Sequence, residues 1–324
     1  VIRLGWTVGR IVLTVAILAS LLRGFDWQAA ARALGGFSAA SLVAALALIA
    51  ADRLLMAWRW IMLVRAVAPA PPGELFRIFL VTSFLGSFLP AGLGGDAARA
   101  YSVGLQTRRV GPALASVVVD RWLGLLAVGL SGCAGVLLSY SAVPPELRQL
   151  TLVATVGLLV GSAAGLHADR LASRLLPGRE SGRLASMVHK SAGAVAVYRN
   201  HSGVLWSVAA LSVVVQAARI TLAWVIGGGL GVTLPFSSYW VFMPLNILIL
   251  LLPLSVGGFG LPQGAMVWTL DPLGVPATEA FLLSLLFVLA GVVGNLPGAL
   301  LFSAKKGTVP FLRKSEKGDS PLFR

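Results

Sequence analysis

Six apolar windows recur along the chain, each long enough to cross about 30 Å of hydrocarbon, which takes ~20 helical residues. They run from Leu4 to Leu22, Ala39 to Met62, Pro112 to Ser139, Leu150 to Ala168, Val204 to Ile226 and Glu279 to Ser303. The pattern predicts six membrane-spanning helices. The first window is followed by Arg23 and not by a small-residue cleavage site, so it reads as a retained helix and not as a signal peptide.

Two further apolar stretches are interrupted. Phe76 to Leu89 runs into Leu-Pro-Ala-Gly-Leu-Gly-Gly-Asp96, and Tyr239 to Leu252 runs into Leu-Pro-Leu-Ser-Val-Gly-Gly-Phe-Gly260; shorter pieces, Ala97 to Leu105 and Pro262 to Leu270, follow them. Irregular backbone at membrane depth must be buried in protein or line a wet cavity, because lipid cannot satisfy its N–H and C=O groups. These stretches therefore predict two re-entrant broken hairpins.

Composition agrees with a membrane location. The 324 residues are 57% hydrophobic and 12% charged, about half the charge that a soluble surface carries. The 37 Gly and 17 Pro suit helices packed closely in lipid. A net charge of +14 is explained by cationic loops facing anionic headgroups, so nucleic acid is not an expected partner.

The charge bias also orients the chain. Arg59, Arg65, Arg77, Arg99, Arg108 and Arg109 surround the first hairpin, which is expected to open to the cytoplasm, whereas the second is followed by Asp271 and Glu279 and is expected to open outside. The cationic loop from Asp169 to Asn200 and the cationic tail place both termini in the cytoplasm. The breaks at Pro90 and Pro253 lie about half the chain apart. Span, span, hairpin, span, repeated with reversed orientation, is the pattern of an inverted-repeat transporter, with its site at the broken segments. The expected fold is thus all-α and polytopic, six full spans plus two re-entrant hairpins in an inverted repeat. One transmembrane domain covers 1–303, in halves of about 1–140 and 147–303, and 304–324 form a basic, disordered cytoplasmic tail.

Candidate chemistry sits where polar residues interrupt these segments. Asp96 and Arg99 fall in the opening turn of the first hairpin's second arm, where helix-terminal N–H groups and an arginine fork can hold a phosphate, or where Asp96 caps the helix and Arg99 snorkels. Asp120 and Arg121 lie inside the third span, where each charge costs roughly 2.5 to 3.5 kcal/mol near a helix centre. They point about 100° apart and need not pair with each other; ligand contact and structural pairing to the hairpin are both open. Arg219, and Asp52 with Arg53, pose the same choice, with the arginines placed to snorkel. Asn246 and Gln263 bridge helices or bind ligand. Trp58, Trp60, Trp122, Trp206 and Trp240 read as an aromatic belt.

Enzyme signals are lacking. There is no phosphate-binding G-x-x-x-x-G-K-[ST] loop, His167, His189 and His201 fall at cytoplasmic ends or loops, and Cys133 is the single cysteine. No cofactor or metal is expected, and the chain is not expected to be an enzyme.

Phe88-Leu-Pro-Ala-Gly-Leu-Gly-Gly-Asp96-Ala-Ala-Arg99-Ala-Tyr101, Val117-Val-Val-Asp120-Arg121-Trp-Leu-Gly-Leu-Leu and Leu252-Pro-Leu-Ser-Val-Gly257-Gly258-Phe-Gly260 resemble three signature stretches of the lysylphosphatidylglycerol synthase transmembrane-region family, whose members are also called flippase-like. Ala57-Trp58-Arg59-Trp60 resembles that family's arginine in the second span. The resemblance covers nearly the whole chain. It implies translocation between leaflets of an anionic or aminoacylated phospholipid or a related amphiphile. The soluble aminoacyl-transferring domain of two-domain relatives has no counterpart here, so lipid aminoacylation is not expected. Gln263 stands where the family often carries an acid after the second break, so proton coupling there is not expected.

The expected function is therefore lipid translocation at the bacterial-type inner membrane. Arg59, Arg99 and Arg121 contact the headgroup, Asp96 and Asp120 orient those arginines, and Gly92, Gly94, Gly95, Gly257, Gly258 and Gly260 supply backbone donors beside Asn246 and Gln263. A membrane-embedded accessory enzyme of lipid or envelope-glycan synthesis and a noncatalytic scaffold remain as alternatives. The expected partner is a lipid with an anionic or phosphate headgroup; lipid-synthesis enzymes and further copies of the chain are candidate protein partners.

Overall fold

The computed structural model describes residues 2–87, 93–139, 143–166, 197–198, 200–252 and 258–304. The tail from 305, most of the 169–200 loop, and the break residues 88–92 and 253–257 lie outside these. Every long element among the described residues is an α-helix: α1 (Ile2–Arg23), α2 (Trp27–Gly35), α3 (Ala39–Val67), α4 (Pro72–Ser87), α5 (Leu93–Thr107), α6 (Val110–Leu138), α7 (Pro145–Leu166), α8 (Ser202–Gly229), α9 (Phe236–Leu251), α10 (Leu261–Leu270) and α11 (Ala277–Ala304).

Six of these helices form within a few residues of the six predicted windows. Four of them, α3, α6, α8 and α11, are long and apolar enough over described residues to cross a membrane, while α1 passes the same test together with α2 as a pair bent by 87°. The polar residue Asp26 makes that bend. Its carboxylate accepts from the N–H groups of Gln28 and Ala29, both at 2.9 Å, and caps α2. At the next helix start, Ser38 accepts from the N–H of Ser41 and caps α3.

The interrupted stretches fold as antiparallel helix pairs. In the first, Gly86 of α4 lies against Gly95 of α5, Ser83 bonds to Arg99 at 3.1 Å, and Glu74 near one end meets Gln106 near the other. In the second, the Asn246 side chain of α9 donates to the Pro262 carbonyl of α10 at 2.9 Å. Gly258, at φ +81°, faces Leu250. Positive φ at Gly258 and Gly260 turns the chain into α10, a conformation that a side chain would strain.

The pairs are clamped between long helices at points where no side chain fits. A Cβ on Gly135 of α6 would strike the main-chain carbonyl of Trp240 in α9, and one on Gly298 of α11 would strike that of Leu80 in α4. Small residues allow such close approach between apolar helices. Large apolar side chains such as Leu42, Val43, Leu46, Leu137, Val153, Trp206 and Leu300 point outward, as a surface facing hydrocarbon requires.

Candidate functional site

α3 and α8 run antiparallel, and their shared seam carries charge. The Arg219 Nε of α8 donates to Asp52 Oδ1 of α3 at 2.7 Å. Two helical turns further along α3, Arg59 Nη1 donates to Ser212 Oγ of α8 at 3.2 Å. Asp52 and Arg53 stand at the middle of the 29-residue α3. Arg53 also binds Asp52 and donates from Nη1 to Asn295 Oδ1 of α11 at 2.9 Å.

α6 joins this seam to the first hairpin. Asp120 accepts from Arg59 Nε at 2.7 Å, with each side chain only 5% exposed. The next residue, Arg121, turns the other way and donates from Nε to Asp96 Oδ2 at 2.6 Å. The roughly 100° between neighbouring helical side chains thus sends adjacent charges to different partners. Arg99 lies 3.9 Å from Asp96 and stacks over Phe79 at 4.4 Å and Trp60 at 5.2 Å. Thr82 Oγ1 accepts from its Nε at 3.4 Å and Ser83 Oγ from its Nη2 at 3.1 Å.

These groups surround one cavity of about 300 Å³. A charge buried without a partner costs several kcal/mol, so each carboxylate here meets at least one arginine. Arg121 is the most open of the paired arginines, with 43% of its side chain exposed. A cavity of this kind can hold an anion through forked guanidinium donors.

The structure brings Arg59, Gly95, Asp96, Arg99, Asp120, Arg121 and Gly258 to the cavity wall. It does not bring Gly94, Asn246, Gly260 or Gln263 there. Gly94 lies in the first turn of α5. Asn246 ties the two arms of the second hairpin, and Gln263 Oε1 accepts from the Gly260 N–H at 2.6 Å, closing the N-terminus of α10. Both side chains are enclosed; Asn246 takes the bridging alternative, whereas Gln263 bonds within its own helix start. Gly92 and Gly257 lie outside the described residues. Asp96 is the fourth residue of α5, engaged by arginines, and is not in the cap position.

Two expectations are corrected. Arg53 and Arg219 do not snorkel; both turn inward to Asp52 in the middle of the fold. Trp60 is not a belt residue, being fully buried beneath Arg99, while Trp58 and Trp206 on the outer surface keep the belt reading. The site also contains Asn295, Ser83 and Ser87, which the sequence alone does not single out. Asn295 interrupts an apolar span, the one signal that could mark it.

Comparison with curated proteins returned no match. The model of the family described as "Lysylphosphatidylglycerol synthase TM region" matches residues 7–298, a stretch that holds every charged group of the cavity. On that match, the chain is a membrane protein of the lysylphosphatidylglycerol synthase transmembrane-region family.

Proposed function

We propose that this protein translocates an amphiphilic lipid between leaflets, with the arginine-lined cavity as the site for an anionic headgroup. The observation that carries the reading is the cavity itself: charged groups inside the long apolar helices α3, α6 and α8 converge with those in the first half of α5, and charge is retained inside apolar spans only for a function or a partner. Both broken hairpins contribute to its wall, through Gly95 and Gly258, as expected of a transporter site built on discontinuous helices.

An inverted repeat is supported by the packing pattern. When α1, α3, α4, α5 and α6 are matched in order with α7, α8, α9, α10 and α11, the contact of α6 on α9 has its counterpart in that of α11 on α4. The contact of α5 on α6 likewise matches α10 on α11, and α3 packs on its own counterpart α8. Gly135 against Trp240 and Gly298 against Leu80 are then one contact used twice. Six spans, two re-entrant hairpins opening on opposite faces and both termini in the cytoplasm of an inner membrane complete the reading. Binding and release need no covalent chemistry, so the protein acts as a carrier and not as an enzyme.

The test uses proteoliposomes of the purified chain with labelled phosphatidylglycerol and labelled phosphatidylcholine in one leaflet. The expected result is protein-dependent movement of the anionic lipid in preference to the zwitterionic one. Equal rates with and without protein for every anionic headgroup tried would reject translocation.

A further inference from the structure

Among the described residues, the cavity is not electrically balanced. Five arginines and three aspartates are among the described residues that line it, and the sequence at the two breaks, 88–92 and 253–257, contains no ionisable side chain. Asp120 is matched by Arg59 alone at hydrogen-bonding distance. Asp96 and Asp52 each hold two guanidinium groups, Arg121 with Arg99 and Arg219 with Arg53. Each of these two carboxylates therefore serves one cation more than it neutralises.

Two of the arginines, Arg99 and Arg53, turn to neutral partners that meet along the same helix. Arg99 Nη2 donates to Ser83 Oγ at 3.1 Å. Arg53 Nη1 donates to Asn295 Oδ1, and Asn295 Nδ2 donates to Ser87 Oγ at 2.8 Å. Ser83 and Ser87 are one turn apart on α4, ~6 Å along its axis, and so lie on one face. Gly86 between them lines the cavity with no side chain to fill it. Hydroxyl and amide groups accept from these arginines without cancelling their charge, and no further carboxylate lines the cavity among the described residues.

We infer that the occupant presents a phosphate bearing two negative charges, a phosphomonoester or a diphosphate, seated between Arg99 and Arg53 along the Ser83–Ser87 face of α4. The inference rests on the translocation reading, which requires only an anionic headgroup, and adds the number of charges. A phosphodiester leaves one surplus cation unmatched, and an aminoacylated headgroup adds positive charge to a site already in excess.

The test compares phosphatidic acid with phosphatidylmethanol, its monoanionic methyl diester, binding to the full chain in detergent micelles at about pH 8, well above a phosphomonoester's second pKa of about 6. Tryptophan fluorescence reports binding, since Trp60 lies beneath Arg99. Phosphatidic acid is expected to bind about tenfold or more tightly than phosphatidylmethanol, the scale of one added charge-assisted hydrogen bond. Arg53→Gln is expected to narrow that ratio to about threefold or less, and Arg53→Lys, which keeps the charge, to preserve it. Because the ratio is taken within one folded variant, lost stability does not imitate the effect; Arg99→Gln and Arg99→Lys repeat the comparison should an Arg53 variant fail to fold. Competition with pyrophosphate and inorganic phosphate identifies the source. Weak competition assigns the dianion to a lipid, and competition as strong as that of phosphatidic acid assigns it to a soluble phosphate. Equal affinity for the two lipids would overturn the dianion and leave an anionic-lipid carrier standing. Binding of neither, with phosphatidylcholine moved freely, would overturn both.

Discussion

Arg121 Nε lies 2.6 Å from Asp96 Oδ2, so one ion pair ties the long α6 to the first turn of the hairpin's second arm. Arg121 is both the hairpin's fastening and the most open arginine of the cavity. Removing its charge separates the two roles. Arg121→Gln keeps donors and stem, and is expected to fold with a small loss of thermal stability. Losing one charge-assisted bond to a headgroup, about 1.5 to 3 kcal/mol, is expected to lower lipid affinity about tenfold or more. Unchanged lipid transport in a folded Arg121→Gln protein would remove this residue from the headgroup site.

The Arg59–Asp120 pair should behave differently, because both side chains are enclosed. Asp120→Asn leaves a buried guanidinium uncompensated and is expected to cost about 3 to 5 kcal/mol of stability. The double variant Asp120→Leu, Arg59→Met removes both charges and should recover much of that loss. Thermal unfolding in detergent measures the two, and a single variant as stable as the starting protein contradicts the buried pair.

Glycine positions give opposite signs according to their surroundings. At Gly95 an added Cβ meets the Thr82 carbonyl and the Gly86 Cα, whereas at Gly157 on α7 it meets nothing within 4 Å. Gly157→Ala is expected to be neutral or stabilising by up to about 1 kcal/mol, and Gly95→Ala to lower the melting temperature. Gly135→Ala and Gly298→Ala should also lower it, since each added Cβ would strike a neighbouring helix backbone, and to a similar degree if the two contacts are equivalent in the proposed repeat. Loss at one of that pair with indifference at the other would count against the repeat.

Topology can be read by cysteine accessibility after Cys133→Ala. A cysteine beside Arg108 is expected to react only from the cytoplasmic side, and one beside Asp271 only from outside. The reverse at either position breaks the opposed-hairpin arrangement.

The long helices are legible in the sequence because an apolar run of span length matches the thickness of a bilayer and exceeds what most soluble cores can bury. Their ends are less so. α3 continues five residues past the expected Met62, because Arg65 ends the apolar window without ending the helix. α2 leaves no mark of its own; nine residues held by an Asp26 cap make too short a period to stand out. At the site, Asp120 and Arg121 are conspicuous as charges inside a span. The inward turn of Arg53 and Arg219 is not, because it depends on the register between α3 and α8, which no local pattern encodes. Trp60 escapes for the same reason: nearness to a helix end does not say whether a ring faces lipid or a neighbouring arginine.

The right-angled junction of α1 and α2 constrains how such a protein can move. On the six-span reading proposed above, α1 crosses the bilayer and α2, with Trp27 71% exposed and Arg32 exposed beside it, is expected to lie along its surface. α2 is moored to the last helix: the Asp26 N–H donates to Thr278 Oγ1 at 3.3 Å and Phe25 packs edge-on against Phe281 at 5.3 Å. With α2 at the surface, sinking it would drag Arg32 into hydrocarbon, so these contacts would hold the start of α11 near the same level. On the translocation reading, this mooring opposes vertical, elevator-like travel of α11, and rocking about a surface pivot is the motion expected to exchange access to the cavity.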